Sequence, residues 1–404
     1  MKWCWKALVG CGMLIGGGLH GPQPLAAQGA AEAVTPAGAT ASARTAEAPW
    51  TVLPGGLRWV EAGPPEAAEA ALECWVPAGS GVRGGQAAAA TAMALLAALR
   101  ARLPPPVRVD VELTTTHVRY DVWLPATAAA DAAFQLLDVL TTCPVGDGGA
   151  VLPAPRWLHE AGIGPWLAAA PPGEPMDAVA FHRRHYRLDA MVLVVATQAA
   201  PGLVRETLAD RLSSRLKAPV EAAKPPLASQ GVPDAGASAA GRPVAAGRWA
   251  WLAVEGPPPE AYAAAAALAV AGEVLGGRLG GGLQRPCHVA LEAAPGKTWL
   301  LVATPDPPDG FAARLDHELA LLRDDTVDLA ELEQARARVR GTLGGPTGDA
   351  RARRRALGRE AMLGLPGSTR QALAAVAQVG RAEVQAAAQR YGCGSTLRVR
   401  VPPP

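Results

Sequence analysis

Hydrophobic and polar residues in the first half of the chain repeat with two periods, one typical of strands and one of helices. Short runs rich in β-branched and aromatic residues indicate strands, and apolar residues spaced three and four apart indicate helices. Half of the run at 85–102 is alanine, the residue with the highest helix propensity. The pattern therefore predicts a strand, a helix, two strands and a second helix, over residues 72–77, 85–102, 107–115, 118–124 and 130–141.

The second half repeats this order of elements. Its strand, helix, two strands and helix are predicted over residues 248–254, 260–275, 287–294, 298–304 and 311–323. The last of these helices carries one apolar stripe, formed by Phe311, Leu315, Leu319 and Leu322. An order given twice predicts a duplicated fold of the α+β class. We expect two homologous domains, each a mainly antiparallel sheet with helices on one face.

Further elements complete the second half. Helices are predicted over 329–343, 350–363 and 381–391, and a closing strand over 396–401. Asp328 is expected to cap the first of these helices, with Glu331 completing a capping box. In the first half, the apolar residues Val118, Tyr120 and Val122 alternate with the polar residues His117, Arg119 and Asp121. This alternation predicts a strand whose apolar face is buried and whose polar face is exposed.

Composition shifts divide the chain into segments. Lys2 and Lys6 precede a short apolar run and then small residues, as in an export signal. The segments predicted are a signal peptide at 1–29, a flexible lead at 30–49, domains at 50–217 and 248–404, and a Pro/Ala/Gly linker at 218–247. We therefore expect export to the periplasm or cell envelope, and no transmembrane span after the signal. Lipidation at Cys11 stays open as an alternative.

Charge and cysteine content narrow the function further. The 404 residues carry a formal net charge of +2, which gives no strong attraction for nucleic acid or an anionic membrane. The cysteines after the signal are widely spaced without a Cys-x-x-Cys pair, so a zinc ribbon is excluded. Two readings stay open for them, buried thiols or one disulfide in each half, Cys74 with Cys143 and Cys287 with Cys393.

Six segments carry patterns that belong together. The longest covers fifteen residues without a gap, FHRRHYRLDAMVLVV, and another is the VPAGS that ends a predicted strand. The segments lie at 53–60, 76–80, 114–120, 181–195, 262–279 and 327–335. Together they resemble the insulinase/pitrilysin family of zinc peptidases, which includes the mitochondrial processing peptidases. The resemblance covers about residues 50–404 and agrees with the duplicated order of elements.

The resemblance places the family's zinc motif, His-x-x-Glu-His, on the predicted helix 85–102. Ala88 and Ala92 stand where the two His ligands would be, and Thr91 stands where the catalytic Glu would be. Residues at i and i+4 share one helix face and can hold one metal, but methyl groups cannot ligate zinc. We therefore expect no catalytic residue and no zinc cofactor. In the region of the family's third ligand, Glu160 is the only acid in a plausible helix, and it has no partners to join. Arg285 stands where a substrate-binding Arg would be, while the accompanying Tyr is missing.

The resemblance also implies a function. Active members often work as two-part chambers in which one part holds zinc and the other helps to enclose the peptide. We expect this chain to be the non-catalytic subunit paired with an active zinc peptidase of the same family, so that whether it is itself an enzyme stays open. The alternatives are a stand-alone peptide-binding or scaffold protein of the cell envelope, and an active metallopeptidase with an atypical site.

Histidines outside the motif have ordinary interpretations beside their functional ones. His182 and His185, spaced i and i+3, could hold a metal, or they could belong to a surface helix. His159 next to Glu160 could perform acid–base chemistry, or end a helix. His288 could replace the missing Tyr, or lie on an edge strand. In each case we prefer the structural interpretation.

Two further patterns are interpreted as structural. The first is an arginine cluster without the aromatic residues of a nucleic-acid surface, which we expect to be a solvated helix face, comprising Arg351, Arg353, Arg354 and Arg355. The second is a set of glycines at 276–277 and 280–282. They follow a predicted helix rather than a strand, so a phosphate-binding loop is not expected.

Overall fold

The computed structural model describes residues 49–65, 69–79, 85–103, 105–145, 177–198, 200–217, 249–283, 287–294, 296–305, 310–324, 327–344, 349–392 and 397–400. Several predictions fall outside these residues, namely the signal, nearly all of the lead, the linker, His159, Glu160, Arg285 and Cys393. Glu47–Pro404 cluster as one compact unit.

The first half forms strands and helices in nearly the predicted places. Its strands are β1 (Trp50–Val52), β2 (Arg58–Glu61), β3 (Glu69–Val76), β4 (Arg108–Leu113), β5 (Val118–Pro125) and β6 (Val192–Ala196). Its described helices are α1 (Gly85–Arg102), α2 (Ala129–Thr142), α3 (Ala178–His185) and α4 (Pro201–Lys217). The alanine-rich helix therefore has the predicted bounds, whereas the sequence pattern did not indicate α4.

The second half repeats this plan with more helices. Its strands are β7 (Trp249–Glu255), β8 (His288–Ala294), β9 (Lys297–Pro305) and β10 (Leu397–Arg400). Its described helices are α5 (Tyr262–Leu283), α6 (Phe311–Asp324), α7 (Leu329–Gly344), α8 (Ala350–Leu363), α9 (Ser368–Gln378) and α10 (Arg381–Tyr391). Helix α9 was not predicted.

The two sheets share one topology. The first has the order β1-β2-β6-β3-β5-β4, and the second β10-β7-β9-β8. Within β6-β3-β5-β4 and within β10-β7-β9-β8, every neighbouring pair is antiparallel, and β2 pairs with β6 in parallel. The strands of the second sheet thus match the last four of the first, which confirms the predicted α+β fold with two homologous, mainly antiparallel sheets.

Each sheet packs one face against helices of its own half. In the first half, Leu95 and Leu99 of α1 and Leu136 of α2 are fully buried in one core with Leu72 of β3. In the second half, the predicted stripe of α6 enters a separate core against α5, and all four of its residues are buried. This burial confirms the prediction that the stripe of α6 faces a core.

The opposite face of the first sheet is also covered, which corrects the prediction that one face of β5 is exposed. His117, Arg119 and Asp121 are 5%, 3% and 4% exposed. Helix α8 of the second half lies across this face, where Ala361 and Met362 pack in a third core cluster, together with Val60, Ala62, Ala71, Trp75, Val192, Val194 and Ala196. A helix supplied from about 230 residues away in sequence cannot be read from the alternation of one strand.

Helix α5 is longer than predicted. It continues to Leu283 through the glycines that were expected to follow it. Each glycine costs about 1 kcal/mol of helix propensity relative to alanine, but close packing uses the missing side chains. A Cβ at Gly276 would lie 2.3 Å from Cγ2 of Val289, and one at Gly272 would lie 2.4 Å from Cδ1 of Leu300. Gly272 and Gly276 therefore let α5 approach its sheet, whereas nothing lies within 4 Å of a Cβ at Gly281.

Length and composition alone would allow Tyr262–Gly281 of α5 to cross a membrane, with a mean hydropathy of 1.3. However, 67% of that window is buried inside the protein. The segment is the central helix of the second core.

Capping and cysteine chemistry differ in part from the predictions. Asp328 Oδ1 accepts a hydrogen bond from the Ala330 amide at 2.9 Å, as expected for an N-cap. The predicted capping box is wrong, because both carboxylate oxygens of Glu331 accept hydrogen bonds from Arg278, at 2.7 and 2.9 Å. Cys74 and Cys143 are free thiols, so the disulfide between them is also wrong; Cys287 is a free thiol as well.

Candidate functional site

Helix α1 presents the zinc-motif positions to the protein interior. Ala88, Thr91 and Ala92 are each 0% exposed. The neighbouring Ala87 and Ala89 are also buried, so this turn of α1 packs as a small-residue surface. Its alanines allow another helix to approach closely.

The covering helix is α3. Asp177 Oδ1 accepts a hydrogen bond from the Ala180 amide at 2.6 Å and so begins this helix at Ala178. The hydroxyl of Thr91 donates a hydrogen bond to the Ala178 carbonyl, with 3.2 Å between the oxygens. Phe181 of α3 is fully buried in the same core. Thr91 thus satisfies its polar atom by joining α1 to α3.

The side chains at these three positions do not fit the zinc ion of the peptidases. Two methyl groups offer no lone pair, and a threonine hydroxyl already donating to a carbonyl is not a carboxylate base. Among the described residues, no group of three or more His, Cys, Asp and Glu side chains could hold a metal ion. The side chains at positions 88, 91 and 92 therefore support no zinc chemistry.

A buried hydroxyl pair lies in the same core. Tyr120 Oη of β5 and Tyr186 Oη lie 2.9 Å apart in a hydrogen bond, and the residues are 0% and 3% exposed. Burial raises the pKa of both hydroxyls, and it raises the pKa of the buried Cys74 thiol to about 12. These groups stay protonated near neutral pH and have no access to solvent, so they serve packing rather than proton transfer.

The other histidine candidates take structural positions. His182 is buried, and its Nε2 donates to the Leu140 carbonyl at 2.7 Å, which corrects the surface-helix interpretation. Burial lowers the pKa of His182 and of the half-buried His185. His288 lies exposed on β8, the edge strand of its sheet, as the structural interpretation expected.

The arginine cluster forms ion pairs across the two halves, which corrects its interpretation as a solvated face. Arg354 Nε donates to Glu73 Oε1 at 3.1 Å, and their side chains are 6% and 3% exposed. Arg355 lies 3.5 Å from a carboxylate oxygen of Glu112. Arg351 lies 3.6 Å from Asp121, so three of the four arginines meet carboxylates of the first sheet, while Arg353 is exposed.

These carboxylates also hold a buried arginine of the sheet itself. Arg119 Nε donates to Asp121 Oδ1 at 2.9 Å, and its terminal nitrogen contacts Glu112. Burial, with the nearby charge of Asp121, raises the pKa of Glu73, while Arg119 and Arg354 act against that rise. The charged residues within strand β5 were the one sign of this network in the sequence, and their partners could not be predicted from it.

His117 closes the contact between the two halves. Its ring stacks on Trp75 with centroids 4.7 Å apart, and its Nδ1 lies 3.0 Å from the hydroxyls of Thr114 and Thr116. Thr116 donates to Glu292 of β8 at 3.2 Å. Burial, together with the positive charges of nearby arginines, lowers the pKa of His117 well below its usual value. The imidazole is therefore neutral near pH 7.

An apolar groove opens in the second half, which sequence reasoning did not find. It lies between α5, β8, α7 and α9. Its enclosed cavity has a volume of about 100 Å³, and the empty space including the open mouth is about 880 Å³. Its walls are mainly alanine, valine and leucine side chains, and Arg359 of α8 reaches its lining. Ligand sites often combine such an apolar cavity with a few polar groups.

Comparison with known proteins identifies the fold. No protein-family model matches the chain, and no curated protein matches its sequence. Solved structures do match. A protease from Helicobacter pylori has a TM-score of 0.59 at 10% identity, and a putative M16-like peptidase from Alicyclobacillus acidocaldarius has 0.57 at 13%. Both alignments cover 87% of this chain, and 97% and 96% of those chains.

A third neighbour is a peptidase M16 inactive domain from Pseudomonas fluorescens, with a TM-score of 0.53 at 14% identity, covering 87% of this chain and 96% of that one. The class defined by these likenesses is that of M16-like peptidase folds. More particularly, the chain has the fold of the insulinase-like peptidases, as the sequence resemblance predicted. At these identities the likeness establishes the fold alone.

Proposed function

We propose that this chain is a catalytically silent relative of the insulinase-like peptidases and acts as the non-catalytic subunit of a peptide-enclosing pair. The observation that carries the proposal is the state of helix α1. Its shape is kept, while the zinc-motif positions hold Ala88, Thr91 and Ala92, which are fully buried. The existence of an inactive M16 domain among the structural neighbours supports the idea that this fold is used without catalysis.

The partner would be a zinc-bearing relative that carries His-x-x-Glu-His, and the pair would enclose unfolded peptides. A chain in complex III2 from Candida albicans shares the fold, with a TM-score of 0.54 at 14% identity over 87% of this chain and 95% of that one. That neighbour belongs to a multi-protein assembly, which supports a role for this fold in assemblies. The basic, then apolar N-terminal run supports export, so that the pair would work in the periplasm or cell envelope.

Metal content and peptide cleavage test the proposal directly. The purified full-length chain should contain no stoichiometric zinc by elemental analysis and should not cleave unfolded peptides, because two methyl groups replace the imidazole ligands. Cross-linking in the cell envelope followed by mass spectrometry should then recover a protein with His-x-x-Glu-His. Cleavage should appear when the two proteins are mixed, and should vanish when the Glu of the partner's motif is replaced by Gln.

Two results would contradict the proposal in different ways. One equivalent of zinc together with turnover by the chain alone would make it an active metallopeptidase with an atypical site. Peptide binding without any zinc-bearing partner would instead favour a stand-alone binding or scaffold protein.

A further inference from the structure

The groove of the second half is elongated, with apolar side chains along its length and polar side chains at its ends. Along α5 its lining runs from Tyr262 to Glu273, which at 1.5 Å per residue is about 16 Å. Along α9 it runs from Ser368 to Val376, about 12 Å by the same rise. The groove is therefore longer than it is wide, and the side chains between its ends are apolar, among them Ala265, Ala269, Leu291, Leu343 and Ala372.

The two ends carry different polar groups. At one end Glu273 is already paired, because Arg338 Nε donates to its carboxylate at 2.8 Å. At the other end lie Tyr262 and the start of α9, whose first amides are held by Glu360 of α8. Arg359 of α8 also lines the groove, and its charge acts on Glu292, which lies between the lining residues Leu291 and Ala293 of β8.

Arg359 is a cation with spare hydrogen-bonding capacity. It is half-buried, and among the residues that the structure describes no carboxylate lies within 4 Å of its guanidinium. Its charge acts on Glu292, but that carboxylate already accepts a hydrogen bond from Thr116. A guanidinium presents five N–H donors in a fork that matches a carboxylate.

We propose that this groove binds a medium-chain carboxylate, with the alkyl chain along α5 and the carboxylate at Arg359. The apolar walls would bury the chain at about 0.8 kcal/mol per methylene, and the head group would complement the Arg359 guanidinium. An extended peptide paired with the edge strand β8 is the competing occupant, and failure of decanoate to displace it would overturn the proposal. This inference does not depend on the proposed function.

Calorimetry on the purified full-length chain tests the site, with decanoate, decanol and decylamine as probes below their aggregation concentrations. Decanoate should bind one to one, and decylamine should not bind measurably. Arg359→Gln should weaken decanoate binding about tenfold or more, by loss of a charge-assisted hydrogen bond, and should leave decanol binding unchanged. Ala372→Phe, which fills the groove, should abolish both.

Matched controls lie on the same helices. Arg353→Gln on α8 and Ala377→Phe on α9 change exposed residues and should bind decanoate like the unmodified chain. Arg359→Lys keeps the charge but not the fork, and should give intermediate affinity if the glutamine variant does not fold. The proposal is overturned if decanoate does not bind, if decylamine binds equally well, or if folded Arg359→Gln binds as before. It is also overturned if an apolar peptide or a second copy of the chain occupies the groove and decanoate does not displace it.

Discussion

At the scale of single residues, the contact between α8 and the first sheet depends on a glycine. A Cβ at Gly358 would lie 2.3 Å from Nε1 of Trp75 and 2.4 Å from its Cε2. Trp75 is 1% exposed and stacks on His117, so its ring has little freedom to move aside. Gly358 therefore sets how closely the helix approaches the strand.

Gly358→Ala should lower the free energy of unfolding by about 1–3 kcal/mol, since one added methyl group overpacks the contact. Urea unfolding followed by circular dichroism measures this change. Gly341→Ala in α7 is the matched control, because nothing lies within 4 Å of its added Cβ. It should leave the stability unchanged or raise it by up to about 1 kcal/mol. Equal stability of the two variants would show that the sheet yields to the methyl group.

At the scale of elements, α8 is the helix that joins the halves. Its apolar residues Ala361 and Met362 meet strands β2, β3 and β6, and its arginines meet the carboxylates of β3, β4 and β5. The four arginines in one stretch of helix could be identified from the sequence as a cluster. Their role could not, because their partners lie on strands that sequence distance does not connect.

Arg354→Met should destabilise the protein by about 3–5 kcal/mol, because it leaves the carboxylate of Glu73 buried without its ion-pair partner. Adding Glu73→Gln should recover much of that loss, since no unpaired charge then stays at that position. Chemical unfolding of the single and double variants measures the difference. Arg353→Met, on the exposed face of α8, should change stability by less than about 0.5 kcal/mol. A double variant no more stable than Arg354→Met would contradict the ion-pair explanation.

At the scale of the whole molecule, the two halves meet where the β4–β5 turn contacts β8. His117 lies 3.8 Å from Glu292, and Thr116 bridges the same carboxylate. The side chains of His117 and Glu292 are mostly buried, 6% and 14% exposed. Protonation of either one therefore changes the contact between the halves.

Stability should depend on pH through His117. Its pKa is lowered in the folded protein, so as pH falls through the unfolded value near 6.5 the unfolded chain binds a proton that the folded chain does not. This term makes the folded state lose stability from about pH 6.5 downward. Glu292 acts in the opposite direction, because burial raises its pKa and the folded state takes up its proton first. The two terms are separated by comparing variants.

His117→Asn should therefore lose less stability than the unmodified chain between about pH 7 and pH 5. Urea unfolding at both pH values measures the free energy of unfolding that each protein loses between them. His317→Asn changes an exposed histidine of α6 and should keep the original pH dependence. If the free energy of unfolding depends on pH equally in all three proteins, the pKa of His117 does not change on folding.

Residue types and their spacing along the chain are enough to predict the local elements and their repeated order. Helix α1 begins and ends where alanine propensity placed it, and the stripe of α6 is buried as its period required. The residues at the zinc-motif positions were also readable, because a resemblance compares side chains one by one.

What packs against these elements depends on the fold. Alternation along β5 indicated one buried face, but α8 buries the other. Gly276 of α5 packs against Val289 of β8, a contact that the pattern of α5 does not predict. The groove beside Arg359 is formed by helices that are distant in sequence. Local propensity and periodicity depend on neighbouring residues, whereas burial of a second face, ion pairing and cavities depend on contacts that only the folded chain creates.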